Sequence, residues 1–194
     1  KKLVSIHATP ITRYFTALQS YIPEGKPCAL LMVSQFDFAA FQDLVKEYKG
    51  AITYSHPSSA LKANSLLEFT WNHTTLLARS CDRNLTYLQT FYFTLERLEK
   101  LYQQGEEDEI MLHLEFLRAG GKAVPAGLQL IRYSTEARLN QIIRTHESQG
   151  AFIANPHVYT IEDGGNKQID PQKVAFKQQV DPYGLLNPGK MRGY

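Results

Sequence analysis

An α+β domain is the fold class this sequence predicts: an antiparallel sheet with helices packed on one face, ferredoxin-like with additions, ending in an irregular Pro/Gly-rich loop. Three observations predict it. Ile110, Leu112, Leu114 and Phe116 alternate with Met111, His113, Glu115 and Leu117, the period of two of a half-buried strand. Ala119-Gly120-Gly121-Lys122 then reverses the chain into residues 125–133, where Leu128 and Leu130 share a face, so the two runs form a hairpin. Helical stripes separate the other strand-like runs, which favours helices laid on a sheet.

Taken in order, residues 1–25 form a connector or opening helix, with 10–22 either helical or extended. Residues 26–169 form the sheet domain, and 170–194 a C-terminal helix and loop. Residues 28–34 are an apolar run suited to a buried strand. Asp37 N-caps a helix whose stripe is Ala40, Phe41, Leu44, Val45 and Tyr48, stopped by Gly50, and 51–55 is the next strand. Residues 65–80 are helix-like, with Leu66, Leu67, Trp71 and Leu76 as candidates for burial. Residues 85–92, rich in Thr, Tyr and Phe, read as a strand. Thr94 caps a helix carrying Leu95, Leu98, Leu101 and Tyr102 and ended by Gly105, and Glu106-Glu107-Asp108-Glu109 is a solvated acidic turn. Ser134 starts a helix with Leu139, Ile142, Ile143 and His146, ended by Gly150; 152–154 is a short strand. Asp170 and Pro171 open the last helix, which runs through Gln179.

A net charge of +2 gives no case for a nucleic-acid footprint. No apolar run approaches the ~18 residues of a membrane-spanning helix, and the start, Lys1-Lys2-Leu3-Val4, lacks the pattern of a secretory signal. A cytoplasmic, stromal or matrix location is therefore expected. Cys28 and Cys81 lack metal-ligand spacing, and a disulfide is possible but not indicated. On the same grounds, the sequons at Asn72 and Asn84 read as chance matches.

Three places are candidates for chemistry. With Ile110, Leu112, Leu114 and Phe116 against the helices, His113 and Glu115 project from the other side of the sheet, and Gln129, with Tyr133 or Arg132, is expected to share it. That face is either solvated or looks into a pocket. His157, in Asn155-Pro156-His157-Val158-Tyr159, sits on a loop just past a strand end, where it serves either as a structural hydrogen-bonding residue or as a group that orients or deprotonates a hydroxyl. His73 and His113 are not spaced as a metal pair, so no metal is expected. The third place is Asp181-Pro182-Tyr183-Gly184-Leu185-Leu186-Asn187-Pro188-Gly189-Lys190, a non-repeating loop suited to holding a ligand, with Leu185 and Leu186 pinning it and Asp181 capping its turn.

Those ten residues resemble the C-terminal segment of FAD-linked oxidases and dehydrogenases of the vanillyl-alcohol oxidase/p-cresol methylhydroxylase superfamily. The resemblance implies that this chain is the substrate or cap domain, whose antiparallel sheet covers a flavin and whose terminal loop returns to it. Asn187 and Lys190 are then the FAD contacts, the amide toward the pyrimidine edge and the ammonium near anionic oxygens. His157, helped by His113 or Glu115, handles the hydroxyl proton, and Tyr159, Gln129 and Arg132 contact the substrate. The 2-hydroxy-acid branch carries a Gly-Glu-His-Gly-Ile-Gly motif and a His-x-Gly-Asp-Gly-Asn-x-His run. Here only His157 and at most His113 correspond, which argues against a 2-hydroxy acid and against a metal. The Gly-rich pyrophosphate loop of the flavin domain has no counterpart, because Gly120-Gly121 and Gly164-Gly165 lack its strand–loop–helix context. FAD is thus expected to be held mainly by a domain upstream or in a partner chain. Two alternatives remain: a non-catalytic, small-ligand-binding or self-associating α+β domain, and a terminal loop that is only a structural clasp.

Overall fold

The computed structural model describes residues 2–7, 9–57, 66–70, 72–92, 94–104, 108–164 and 168–192. Trp71, Gly105, Glu106, Glu107 and Gly165 lie outside these, as do the side chains of Leu67 and Tyr102. The elements are β1 (Lys2–His7), α1 (Thr9–Thr12), β2 (Cys28–Met32), α2 (Phe38–Glu47), α3 (Asn72–Cys81), β3 (Leu85–Phe91) and α4 (Leu95–Gln104). They continue with β4 (Ile110–Met111), β5 (His113–Ala119), β6 (Lys122–Arg132), α5 (Glu136–Ser148), β7 (Phe152–Ala154) and α6 (Pro171–Val180).

The strands form one antiparallel sheet in the order β2-β1-β5-β6-β3-β7, and β4 pairs with β6 just ahead of β5. Within it, β3-α4-β5-β6-α5-β7 has the spatial order β5-β6-β3-β7, the ferredoxin-like arrangement, and β1 and β2 extend the sheet beyond β5. The β5–β6 hairpin closes at Gly120 and Gly121, whose φ of +55° and +77° suits a turn that needs two left-handed residues.

Neighbouring residues of β6 enter different cores, so both faces of the sheet are covered in part. Ile131 packs with Leu88, Leu139, Ile142 and Ile153 under α5, and Leu114 packs with Tyr92, Leu98 and Leu101 under α4. Leu130, on the opposite face, joins Met111, Leu85, Ile11, Phe15, Phe69 and Ala78. The helices of the βαββαβ unit therefore lie on one face, as expected, while the added segments (α1, the 3-10 turns at Thr16–Tyr21 and Leu66–Phe69, and α3) cover one end of the other.

Several local expectations are corrected. Residues 1–25 are more than a connector or opening helix, since Lys2–His7 is β1, inside the sheet between β2 and β5, while within 10–22 the helical alternative holds in α1 and in the 3-10 turn Thr16–Tyr21. β2 lies at the rim of the sheet, so Leu30 is its one buried residue and Leu31 and Met32 are exposed. α2 buries none of its apolar stripe, and Asp37 makes no side-chain cap bond; Ser34 caps the turn before it. Residues 51–55 form no strand. In α3 the buried residues are Thr74, Thr75 and Ala78, while Leu76 is exposed. Thr135, not Ser134, caps α5 by accepting from the Arg138 amide. Asp170 caps α6 as expected, by accepting from the Gln172 amide at 2.9 Å. No helix among the described residues is long and apolar enough to cross a membrane.

Candidate functional site

Strand periodicity puts His113 and Glu115 side by side on the face away from α4 and α5. Both are buried, at 0% and 5% exposure, and His113 Nε2 lies 2.8 Å from Glu115 Oε1. The solvated-face alternative is thereby corrected. A buried imidazole hydrogen-bonded to a carboxyl group is fixed in orientation.

The register continues that face across the sheet. Glu115 pairs with Ala126, Ala126 with Phe91, and Phe91 with Phe152. One step along, Leu128 pairs with Gln89 and Gln89 with Ala154. These six residues beyond Glu115 are all half-buried, whereas the opposite face is closed at Leu88, Thr90, Gln129 and Ile153. The sheet thus has a half-open floor with the buried His113–Glu115 pair along one side.

Gln129 does not share that floor. It pairs with Leu88, one residue out of phase with Leu128, and points under α5, where it is fully buried. Its Oε1 accepts from the Tyr92 hydroxyl, and its Nε2 lies 3.1 Å from His146 Nε2. His146 Nδ1 lies 2.9 Å from the Ile142 carbonyl, which only accepts. That fixes the polarity of the whole relay: Tyr92 donates to Gln129, Gln129 to His146, and His146 to the backbone. Burial lowers the His146 pKa, partly offset by the Ile142 bond, and raises that of Tyr92. Gly127 is required here, because a Cβ would come within 2.9 Å of the Tyr92 ring. Gln129 is therefore a core residue, and the expectation that it faces substrate is corrected. Arg132 is engaged elsewhere too, 2.5 Å from Asp82 at the far end of β6, and Tyr133 lies past that end.

His157 finishes a sheet edge. β7 covers β3 from Gln89 to Phe91, and the chain then runs on past the remaining edge. There, His157 Nε2 lies 3.0 Å from the Tyr87 carbonyl and 2.8 Å from Thr86 Oγ1, with its ring edge-on to Tyr87. Nε2 carries the proton that the carbonyl accepts, so any proton-transfer role would fall to Nδ1.

The terminal loop folds back on the segment after His157. Lys190 Nζ sits 3.9 Å over the Tyr159 ring, the Ile161 amide donates to the Lys190 carbonyl, and Arg192 grips Asp163. Gly189, at φ +72°, lies so close to Tyr159 that a Cβ would meet its hydroxyl at 3.0 Å. Tyr159 thus holds Lys190 in place. Asp181 caps the turn as expected, by accepting from the Leu185 and Leu186 amides and from Lys177. Lys177 and these amides hold its carboxyl below the usual range. Leu185 and Leu186 do not pin the loop to the described residues, since they are 75% and 61% exposed, and Asn187 and Lys190 are exposed with them.

Sequence reasoning missed Tyr92 and His146 as polar partners of Gln129, and Phe91 and Phe152 as floor. Alternation gave a signal for the last two, but only the register shows which strands they share. Among the described residues, no group of three or more His, Cys, Asp or Glu is placed to hold a metal ion. Neither a family model nor a curated protein matches the sequence.

Proposed function

We propose that this chain is the substrate-cap half of an FAD-dependent oxidoreductase that acts on a hydroxyl-bearing small molecule. The observation that carries the reading is the half-open sheet face bearing a buried His–Glu pair, in a chain whose terminal loop leaves Asn187 and Lys190 exposed. These residues fit one edge of a flavin: an amide able to donate and accept, and a cation suited to the anionic charge of the reduced ring. A pyrophosphate cradle is not formed by the described residues, so the rest of FAD belongs to other polypeptide.

Bound FAD would supply a hydride acceptor for oxidation of the carbinol carbon to a carbonyl. The chain's own part is proton handling and alignment. Glu115, the member of the pair with residual exposure, takes up the hydroxyl proton, and His113 behind it fixes the carboxylate by hydrogen bond and shares the proton. The floor holds the substrate flat, which supplies orientation. His157 secures the loop that carries Tyr159, and Tyr159 positions Lys190.

The test is the flavin content of the intact polypeptide that carries this chain, after free FAD is removed. Bound flavin absorbance is expected. A colourless protein that takes up no added FAD would overturn the proposal.

A second reading, a self-associating binding domain, is favoured by one observation. Phe36, Leu44 and Tyr48 around α2 are exposed at 95%, 43% and 75%, beside the rim strand β2. It predicts a flavin-free dimer by light scattering, dissociated by Phe36→Ser with Tyr48→Ser.

A further inference from the structure

The buried relay under α5 has a loose end. It runs from Tyr92, just past β3, through Gln129 on β6 to His146 on α5. Beside it, Thr90 is fully buried on the same face of β3, and its hydroxyl has no hydrogen-bond partner. A buried hydroxyl left without a partner costs stability. The register shows what it adjoins. Thr90 pairs with Gly127, and a Cβ on Gly127 would lie 3.1 Å from the Tyr92 hydroxyl. Side chains directly opposite each other on an antiparallel pair stand roughly 5 Å apart. The orphaned Thr90 hydroxyl therefore sits next to that of Tyr92. Burial raises the Tyr92 pKa, and the nearby Thr90 hydroxyl lowers it in part.

We propose that this relay is a two-state proton switch: when His146 takes a proton at Nε2, the Gln129 amide turns over and the Tyr92 hydroxyl swings to Thr90 Oγ1. In the neutral state Tyr92 donates to Gln129, Gln129 to His146 Nε2, and His146 Nδ1 to the Ile142 carbonyl. A proton arriving from solvent makes Nε2 a donor that faces a donor. Half a turn of the amide removes the conflict, because Oε1 then accepts from His146 and the amide nitrogen donates to the Tyr92 oxygen. The Tyr92 proton stays on its own oxygen and needs a new acceptor, which Thr90 supplies. One N–H bond forms, none breaks, and all three relay side chains keep their partners. His146 lies in the last turn of α5, where the helix dipole favours a cation. From β3 its titratable neighbour is Tyr92, while β6 and β7 present Gln129 and Ile153, which do not titrate. From α4, Arg97 donates to the Gly150 carbonyl just past α5, and Arg144 and Glu147 are the charged neighbours on α5 itself. Burial holds the His146 pKa below its ordinary 6.5, against the Ile142 bond that raises it. The switch therefore works on the acid side of neutrality, and it is independent of any flavin.

The experiment follows histidine ring nitrogens and tyrosine ring carbons by NMR in the intact protein as pH falls, with His146→Gln and Tyr92→Phe identifying the two signals. At neutral pH the proton is expected on His146 Nδ1 and not on Nε2. On acidification the Tyr92 signal is expected to move with the same midpoint as His146. Thr90→Val keeps the shape of the side chain and removes the acceptor. It is expected to leave the neutral state unaltered and to lower the midpoint by about 0.5–1 pH unit, the worth of one hydrogen bond made only in the protonated form. Thr90→Ser is expected to restore the midpoint. A Tyr92 signal that stays in place while His146 titrates overturns the switch, and so does a His146 that takes no proton before the protein unfolds. Both outcomes are read on the unaltered protein and stand even where Thr90→Val fails to fold. A folded Thr90→Val protein with the original midpoint overturns it as well.

Discussion

Gln129 shows how one side chain is placed by register. Its neighbours Leu128 and Leu130 face the same way as His113, because the two-glycine turn sets Leu114 opposite Gly127. Alternation alone puts His113 and Glu115 together, opposite Leu114, and that much was legible. Which face of the returning strand joins them depends on the turn, and a shift of one residue exchanges the faces. Hence Gln129 was assigned to the substrate side and instead closes a buried relay. Gln129→Leu leaves the Tyr92 hydroxyl and His146 Nε2 without these partners, and urea unfolding should show a loss of roughly 2–6 kcal/mol, at about 1–3 per unsatisfied group. The same relay predicts an acid sensitivity. Burial depresses the His146 pKa in the fold below its ordinary 6.5, so below that pH the unfolded chain binds the proton more readily. Stability should therefore fall as pH drops below about 6.5 and level off beneath the folded pKa. His146→Gln should remove that part of the slope of unfolding free energy against pH.

Elements with equal caps need not matter equally. Thr135 caps α5, which buries Leu139, Ile142 and His146, and Asp170 caps α6, which buries nothing. Removing either cap with Ala costs about 1 kcal/mol locally. Thr135→Ala should lower global stability by that amount in chemical unfolding. Asp170→Ala should leave the unfolding midpoint unchanged and only speed amide exchange in the first turn of α6, because that helix frays without the core. Most strands and helices were legible at this scale, since β3, β5, β6, α4, α5 and α6 carry period and caps together. The failures share a cause. Residues 51–55 have the composition of a strand, yet they pair with no edge of the sheet. Leu44 sits on a helical stripe, and Leu76 in a helix-like run, that the other described residues do not cover. Local propensity describes a face, and tertiary packing decides whether it is used.

At the scale of the whole molecule, the terminal segment folds back on the chain that follows β7, at Tyr159 to Asp163. Lys190 on Tyr159, Arg192 on Asp163 and Asp181 on the Leu185 and Leu186 amides give the loop a defined shape on the surface. The prolines and glycines made that irregular shape legible. What the loop touches was not, because its two leucines and Asn187 find no cover among the described residues. The Asp181 carboxyl is held below its ordinary 3.8 by Lys177 and these amides. Its contribution is complete above that pH and is lost as pH falls through the lower folded value. The Leu185 and Leu186 amides should therefore exchange faster below that range while the sheet stays protected, and Asp181→Asn should reproduce the effect at neutral pH. The central claim is that this loop and the half-open floor meet a flavin system. Its most direct measurement is hydrogen–deuterium exchange on the intact, deflavinated protein before and after FAD is restored. Slowed exchange at residues 185–190 together with Gln89, Phe91 and Phe152 is the result predicted here. Unchanged exchange at both places in a protein that has taken up FAD would contradict it.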